Sequence, residues 1–491
     1  MNTTPLLLTD AYKISHVFQY PPGTEYVYSN LTPRKSRIAG CDEMVFFGLR
    51  YFIKKYLIQE FRRFFDAPKQ VVMRDYERVV RHALGGIQSM QHIADLHDLG
   101  YLPLEIRALP EGTLVPMRVP CLTIENTHPA FYWLTNWAET LMSSVLWQPC
   151  TSATIAYRYR KLLDGYAEKT GMPADFVKWQ GHDFSFRGMS SPESAILSGM
   201  AHLTSFAGTD TIPAIVEAEH YYDAFLEGVS TPVGGSVPAT EHSVMCAGSK
   251  GGELETIRRL INEVHPTGIV SIVSDTWDLW KVLDEYLPQL KDDILDRSGK
   301  VVIRPDSGDP VKIICGDQNA SDPRERLGVV GLLEKHFGYT LTSTGHKLLH
   351  ERVGMIYGDS ITYERAQAIC EGLIAQGYAS QCVFGIGSYT YQYNTRDTFG
   401  TAIKATNVVI NGQPNAIYKC PATDDGTKNS AKGFLKVVRE GGKLRLIEDV
   451  DEFQVKRGEL ELVYNDGQTF ESLSGHGNTL QDIRERLHPK F

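Results

Sequence analysis

Four short runs of apolar, largely β-branched residues recur between positions 268 and 388, and each closes on aspartate, glycine or serine. Residues 268–273 end in Ser274 and Asp275, residues 301–303 in Arg304, Pro305 and Asp306, residues 353–357 in Gly358 and Asp359, and residues 381–386 in Gly387 and Ser388. Runs of this length and composition predict buried strands. Residues 276–287 and 362–375 have helical patterning after two of them, so the pattern predicts parallel β/α units. Ligands in such folds collect at the carboxyl ends of the strands. At the second corner Pro305 and Pro310 forbid further strand pairing, and Gly308 permits a turn with positive φ. One such corner is equally an ordinary strand-to-loop turn with its own arginine–aspartate pair. Four of them in about 120 residues predict a site.

The flanking sequence has another character. Residues 45–65 place Phe46, Leu49, Phe52, Ile53, Tyr56 and Leu57 on one helical face, and residues 71–84 repeat the pattern. Between 101 and 127 the alternation of Leu104, Ile106 and Ala108 among Pro and Gly predicts antiparallel strands. Helical runs follow at 131–147 and 151–169, and residues 181–191 end in Ser191 and Pro192, the signature of a helix start. Near the other end Gly441 and Gly442 predict a hairpin, and Asn465 to Gly467 a second turn. The expected fold is α/β: an irregular β/α barrel over residues 151–389, with a second, mostly antiparallel domain built from both chain ends, 1–150 and 390–491.

Composition narrows the class. The chain has 491 residues, 42% apolar, enough for large cores and against disorder. A formal net charge of −9 disfavours a nucleic-acid protein. The eight cysteines include no Cys-x-x-Cys pair, which argues against a zinc ribbon or a thioredoxin-like motif. No run approaches the ~18 apolar residues of a membrane span, and no signal peptide is evident. A cytoplasmic protein without a membrane or nucleic-acid partner is expected.

Several polar stretches carry candidate chemistry. Arg187, beside Gly188 and just before a helix start, suits an anion; it equally suits a capping segment in which it pairs with Asp183. Asp210 reads by default as an N-cap. His242 follows Glu241 in a loop after Gly234 and Gly235, a placement that becomes chemical only if it faces the strand ends.

Taken together, Asp10 to Lys13, Asp183 to Gly188, Gly208 to Thr211, Val237 to His242, Val273 to Asp275, Ile303 to Gly308 and Tyr357 to Asp359 resemble the nicotinamide phosphoribosyltransferase family, in the family's order. The resemblance implies a type II phosphoribosyltransferase fold and a head-to-tail homodimer with active sites at the subunit interface. The implied reaction joins nicotinamide to 5-phosphoribosyl-1-pyrophosphate, with Mg²⁺ and with ATP as a co-substrate. It assigns Phe184 and, from a second subunit, Tyr12 to the two faces of the pyridine ring, and Arg304 and Asp210 to its carboxamide. Arg187, Gly358, Asp359, Gly387 and Ser388 match the ribose-phosphate region and Asp306 the ribose contact. Asp275 and Asp306 are the expected Mg²⁺ organisers, directly or through water. Arg34, Arg396 and Lys404 resemble phosphate-binding residues supplied by the partner subunit. His242 matches a histidine phosphorylated by ATP, with Lys428 and Lys432 in the loop near it. Ser388 departs from the family, standing where its phosphate loop usually continues with glycine.

These residue types suit the chemistry. Displacing pyrophosphate builds negative charge that cations offset, while carboxylates near the ribose suit the positive charge at its anomeric carbon. A carboxylate at position 210 accepts a hydrogen bond from the amide of nicotinamide and would face a like charge in nicotinate. Three rivals remain at this stage: a nicotinate phosphoribosyltransferase, a barrel hydrolase using Asp275 and Asp306 as acid and base, and a non-enzymatic binding protein on the same fold.

Overall fold

The computed structural model describes residues 4–86, 89–224, 233–423, 426, 429–470, 478–489 and 491. They fall into two compact units, one within 1–154, 217–225 and 394–490, the other within 155–216, 226–393 and 491.

The second unit is built on six parallel strands: β1 (Gly181–Asp183), β2 (Gly208–Thr209), β3 (Thr267–Val273), β4 (Ser298–Arg304), β5 (Val353–Tyr357) and β6 (Val383–Ile386). They pair in the order β2-β1-β6-β5-β4-β3. Neither edge stays open. Gly235 bridges Gly208 of β2, and Ala239 bridges Ser271 of β3, both in parallel. The Gly235 N–H donates to Ala207 (2.8 Å) and the Thr209 N–H to Gly235 (2.9 Å), while the Ser271 N–H donates to Pro238 (2.9 Å) and the Thr240 N–H to Ser271 (3.0 Å). Residues 235–240 thus act as a seventh stave and close an irregular barrel, which removes the exposed edges of the sheet. Gly234, Gly235 and Pro238 keep this stave from reading as a strand in sequence.

Alternation along the strands decides which side chains reach the rim. In β4 Val301 and Ile303 are fully buried, while Lys300, Val302 and Arg304 share the opposite face. Gly354 of β5 stands on that face too, since a Cβ there would lie 3.1 Å from Lys300 Cδ and 3.6 Å from Val302 Cγ2. At β6 the fit is tighter. A Cβ on Gly385 would fall 2.5 Å from Phe184 Cδ2 and 2.8 Å from Gly358 Cα. The Phe184 ring therefore occupies room that this glycine leaves.

The helices begin where capping residues place them. Ser191 Oγ accepts the Ser194 N–H (3.1 Å) at Pro192–Leu203, and Asp309 accepts the Val311 N–H (2.9 Å) at Pro310–Cys315. Thr362 caps Tyr363–Ala375. The helix expected from residue 276 starts later, at Leu279, because the Asp278 carboxylate caps the Lys281 N–H (3.0 Å). That leaves Asp275 in the loop, free of helical geometry.

The first unit carries a seven-stranded antiparallel sheet ordered Gln413–Ala416, Ala402–Ile410, Thr24–Thr32, Leu122–Asn126, Leu104–Ala108, Glu461–Asn465, Gln468–Thr469. The long strand near the start, Thr24–Thr32, lies between Ala402–Ile410 and Leu122–Asn126, so distant parts of the chain share one sheet. The hairpin at Gly441 and Gly442 pairs Phe434–Glu440 with Lys443–Val450. Where two helices are expected at 131–147 and 151–169, one helix runs from Leu134 to Thr170 with Pro149 inside it. Proline forfeits one hydrogen bond there. Pro149 packs into the space left by Gly48, whose Cβ would lie 2.7 Å from Pro149 Cγ, and the Thr151 hydroxyl donates to the Trp147 carbonyl at 2.8 Å.

The packing at β6 makes a direct prediction. Gly385→Ala should destabilise the protein by about 1–3 kcal/mol through overpacking against Phe184. Chemical denaturation reads this, and an unchanged midpoint would contradict the arrangement.

Candidate active site

The carboxyl ends of the barrel strands surround a cavity of about 930 Å³. Its wall includes Phe184 after β1, Asp210 after β2, Arg304 and Asp306 after β4, Gly358 and Asp359 after β5, and Gly387 and Ser388 after β6, with Arg187 from the loop that follows Phe184. Nine residues singled out in sequence for pyridine, ribose or phosphate thus share one space.

At one part of the wall Asp210 holds a network. Its Oδ1 accepts hydrogen bonds from His182 Nε2 (3.0 Å) and from the Ser236 hydroxyl. Burial acts to raise this carboxyl, but the bonds from His182 and Ser236 and the charge on Arg304 outweigh it and hold it below the ordinary range. Asp210 is not the N-cap its position suggested, because the helix starts only at Ile212 and the Asp210 Oδ1 is taken by His182 and Ser236. The His182 ring lies 4.8 Å from the Phe184 ring, tilted by 52°. The aromatic face and the anionic Asp210 are therefore adjacent.

The arginine–aspartate pair that one reading of the sequence allowed does form at the β4 corner, as an ion pair that leaves hydrogen-bonding capacity unused. Arg304 donates through a terminal nitrogen to the Thr240 carbonyl (2.6 Å), and its Nε stands 3.6 Å from Asp306 Oδ1, too far for a hydrogen bond. Both Arg304 Nε and Asp306 Oδ1 are buried without a hydrogen-bond partner. Burial pushes the Asp306 carboxyl above its usual range, Arg304 opposes this, and Asp275 and Asp359 add to it. Asp275 braces the corner: its Oδ2 accepts the Asp306 N–H (2.9 Å) and the Ser307 hydroxyl (2.5 Å). The other oxygen of Asp275 is also buried without a hydrogen bond, 3.5 Å from His242 Nε2. His242 is half exposed at the start of the helix His242–Ala247, so it does stand against the strand ends.

At the remaining part of the wall Arg187 is exposed and makes no ion pair among the described residues; the alternative pairing with Asp183 does not form. Asp183 is fully buried and instead accepts the Ser185 N–H (2.9 Å). Ser388 fits beside the missing Cβ of Gly188, which would meet its Oγ at 2.0 Å. Its hydroxyl leans on the Arg187–Gly188 turn rather than standing alone.

Asp275 Oδ1 and Asp306 Oδ1 supply two hard oxygen donors with spare hydrogen-bonding capacity. Among the described residues no group of three or more His, Cys, Asp or Glu is arranged to hold a metal ion. The pair suits a cation such as Mg²⁺, which takes one or two carboxylates and completes its shell with water and phosphate oxygens.

The remaining candidates lie in the first unit. Tyr12 is 58% exposed in the helix Ala11–Ile14, anchored by Lys13, which is buried on Glu139 and Asn136 (2.9 Å). Glu139 also holds Lys404 (2.9 Å). Arg34 donates from Nε to the Gly400 carbonyl (2.8 Å), and Arg34 and Lys404 line a common cavity of about 290 Å³. Arg396 pairs with Asp397 (3.2 Å) and Lys432 with Asp449 (3.2 Å). Lys428 lies outside the described residues.

Sequence reasoning missed His182 and Ser236. The signal for His182 was present, since it stands two residues before Phe184 in an extended segment and so shares its side. Ser236 sits in the Gly-rich stave and gave no signal. Tyr389, on the cavity wall, stacks on Tyr393 with centroids 5.3 Å apart and 7° between planes, and both rings are exposed.

Residues 179–471 match the Nicotinate phosphoribosyltransferase (NAPRTase) family, and residues 4–106 match the Nicotinamide phosphoribosyltransferase, N-terminal domain family. Nicotinamide phosphoribosyltransferase of Acinetobacter baylyi is 54% identical over 98% of this chain and 97% of its own length. That of Mycoplasma pneumoniae is 37% identical over 87% of this chain and 94% of its own. Two solved structures share the fold. Nicotinate-nucleotide pyrophosphorylase from Pyrococcus furiosus has a TM-score of 0.58 and 14% identity, covering 99% of this chain and 95% of that one. Human nicotinic acid phosphoribosyltransferase has a TM-score of 0.54 and 15% identity, covering 98% and 93%. With full-length relatives at this identity and a barrel of the matching fold, the chain belongs to the nicotinamide phosphoribosyltransferase family.

Proposed function

We propose that the chain transfers the phosphoribosyl group of 5-phosphoribosyl-1-pyrophosphate to nicotinamide, giving nicotinamide mononucleotide and pyrophosphate in NAD salvage. The observation that carries this reading is the single cavity in which Phe184, Asp210 and Arg304 stand with Arg187, Asp359, Gly387 and Ser388. A flat ring with a carboxamide fits the first set, and a ribose phosphate the second.

The pyridine nitrogen is itself the nucleophile, so the protein has to orient rather than activate it. Phe184 offers one face of the slot, and an exposed Tyr12 from a second copy of the chain supplies the other. Arg304 donates to the carboxamide oxygen while Asp210 accepts from its NH₂. As the bond to the ring nitrogen forms, the bond from the anomeric carbon to pyrophosphate breaks, and Asp306 offsets positive charge on the ribose. Mg²⁺ bound by Asp275 and Asp306, directly or through water, supplies charge stabilisation for the departing pyrophosphate. Arg34, Arg396 and Lys404 of the second copy contact phosphate, which makes the working unit a homodimer. ATP phosphorylates His242 on the imidazole with release of ADP, and Lys428 and Lys432 hold the phosphates of ATP. No described helix is long and apolar enough to cross a membrane, in keeping with a cytoplasmic enzyme.

Asp210 decides between the acceptors. Its carboxyl is held ionised by His182 and Ser236, so a nicotinate carboxylate would meet a like charge in a half-buried slot. The names of the relatives at 54% and 37% identity favour nicotinamide as well.

The test is turnover of labelled nicotinamide or nicotinate with 5-phosphoribosyl-1-pyrophosphate and Mg²⁺, with and without ATP. Nicotinamide should be the better acceptor, ATP should stimulate, and His242→Ala should remove the stimulation. Asp210→Asn should cost nicotinamide about ten- to a hundredfold in kcat/KM, the value of a charge-assisted bond, and narrow the gap to nicotinate. Preference for nicotinate, or no turnover of either, would refute the reading. Titration gives a second check. Because the Asp306 carboxyl is raised, it loses its charge at a higher pH than an exposed aspartate, whereas Asp210 stays ionised. In the metal-free protein the Asp306 carboxyl, followed by carboxyl-carbon NMR, should therefore titrate above about 3.9, the ordinary aspartate value. A midpoint at or below that value would contradict the burial of Asp306.

A further inference from the structure

Seven described non-glycine residues have positive φ. Six are Asp, Asn or Ser, whose short polar side chains tolerate that region. The seventh is Arg118, at φ 70°. It is the third residue of a turn in which the Val119 N–H donates to the Pro116 carbonyl (3.1 Å), a position that favours glycine when φ is positive. Nothing in the fold requires a long cation there, because the backbone bond that fixes the turn, from the Arg118 N–H to the Pro33 carbonyl (2.6 Å), is open to any residue except proline. Strain of this kind marks a side chain held for what it does.

The side chain reaches a place where a cation has a use. Arg118 is exposed and lines the cavity of about 290 Å³ that Arg34 and Lys404 also line. Asn30, Thr32 and Ser430 add small polar groups to the wall, and Glu448 is the one acidic residue among the described lining residues. Three cations thus line the wall with one carboxylate; Lys404 is also held by Glu139 (2.9 Å), and Glu448 is itself engaged by the Lys432 N–H (2.9 Å). One terminal nitrogen of Arg118 donates to the Gly426 carbonyl at 3.3 Å. A guanidinium has five N–H donors, which leaves most of its capacity for an oxyanion.

We infer that Arg118 is a further phosphate-positioning residue: together with Arg34 and Lys404 it binds the pyrophosphate end of the phosphoribosyl donor. This rests on the reading of Arg34 and Lys404 as phosphate contacts and extends it to a residue outside the family motifs quoted above. The strained turn is the cost of presenting a third cation beside Arg34, just past the strand Thr24–Thr32.

The test compares Arg118→Gly, Arg118→Lys and Lys404→Ala in the full-length enzyme. Glycine suits the turn, so Arg118→Gly should melt at the same temperature as the parent or higher. Its KM for 5-phosphoribosyl-1-pyrophosphate should rise about three- to tenfold, the effect of one exposed charge-assisted contact, with KM for nicotinamide unchanged. The salt dependence of the donor KM should weaken, and Arg118→Lys should recover part of both losses. If Lys404→Ala raises the donor KM and Arg118→Gly does not, the inference fails while the parent reading stands. If neither variant changes it, both fail. A raised KM accompanied by a lower melting temperature would assign Arg118 to the fold and overturn the proposal.

Discussion

The site depends on keeping charged groups buried with fewer partners than they could take. Arg304 Nε stands 3.6 Å from Asp306 Oδ1, and Asp275 Oδ1 stands 3.5 Å from His242 Nε2, all three charged-group atoms on the barrel side without hydrogen bonds. Each such group costs free energy in an apolar setting, and a protein selected for stability alone would satisfy them. The barrel holds them by bracing their other halves: Asp275 Oδ2 on the Asp306 N–H and Ser307, and a terminal nitrogen of Arg304 on the Thr240 carbonyl. Arg304 and Asp306 line the cavity, and Asp275 stands directly behind them. Preorganised charge of this sort needs no rearrangement when the reaction begins.

Barrel closure makes the bracing possible. Thr240 is in reach of Arg304 because residues 235–240 run beside β3 as a seventh stave, and the same segment brings Ser236 to Asp210 at its other end. One irregular segment thereby fixes both Asp210 and Arg304. The glycines at 358 and 385 have a complementary part, leaving the volume that the Phe184 ring and the Asp306 carboxylate fill.

Much of this was legible in the residues. The strands at 268–273, 301–303, 353–357 and 381–386 announced themselves by β-branched composition cut off by Asp and Gly, and the carboxyl ends of the last three line one cavity. What was not legible depends on distance along the chain. Asp210 looks like an N-cap until His182 and Ser236, 28 and 26 residues away, are seen to bind it. The stave has no apolar run to betray it. The break expected between residues 147 and 151 does not occur: one helix runs through Pro149, whose ring packs into the gap at Gly48, a partner distant in sequence. Arg118 escaped notice because a side chain's φ is set by the turn around it, and its residue type argues for a different turn.

The account stands on one cavity receiving a nucleotide in one direction. A crystal structure of the protein with nicotinamide mononucleotide tests this most directly. The account predicts the pyridine ring against Phe184 with its carboxamide between Asp210 and Arg304, and the phosphate beside Arg187 and Ser388. A nucleotide bound in the reverse direction, or outside this cavity, would contradict it.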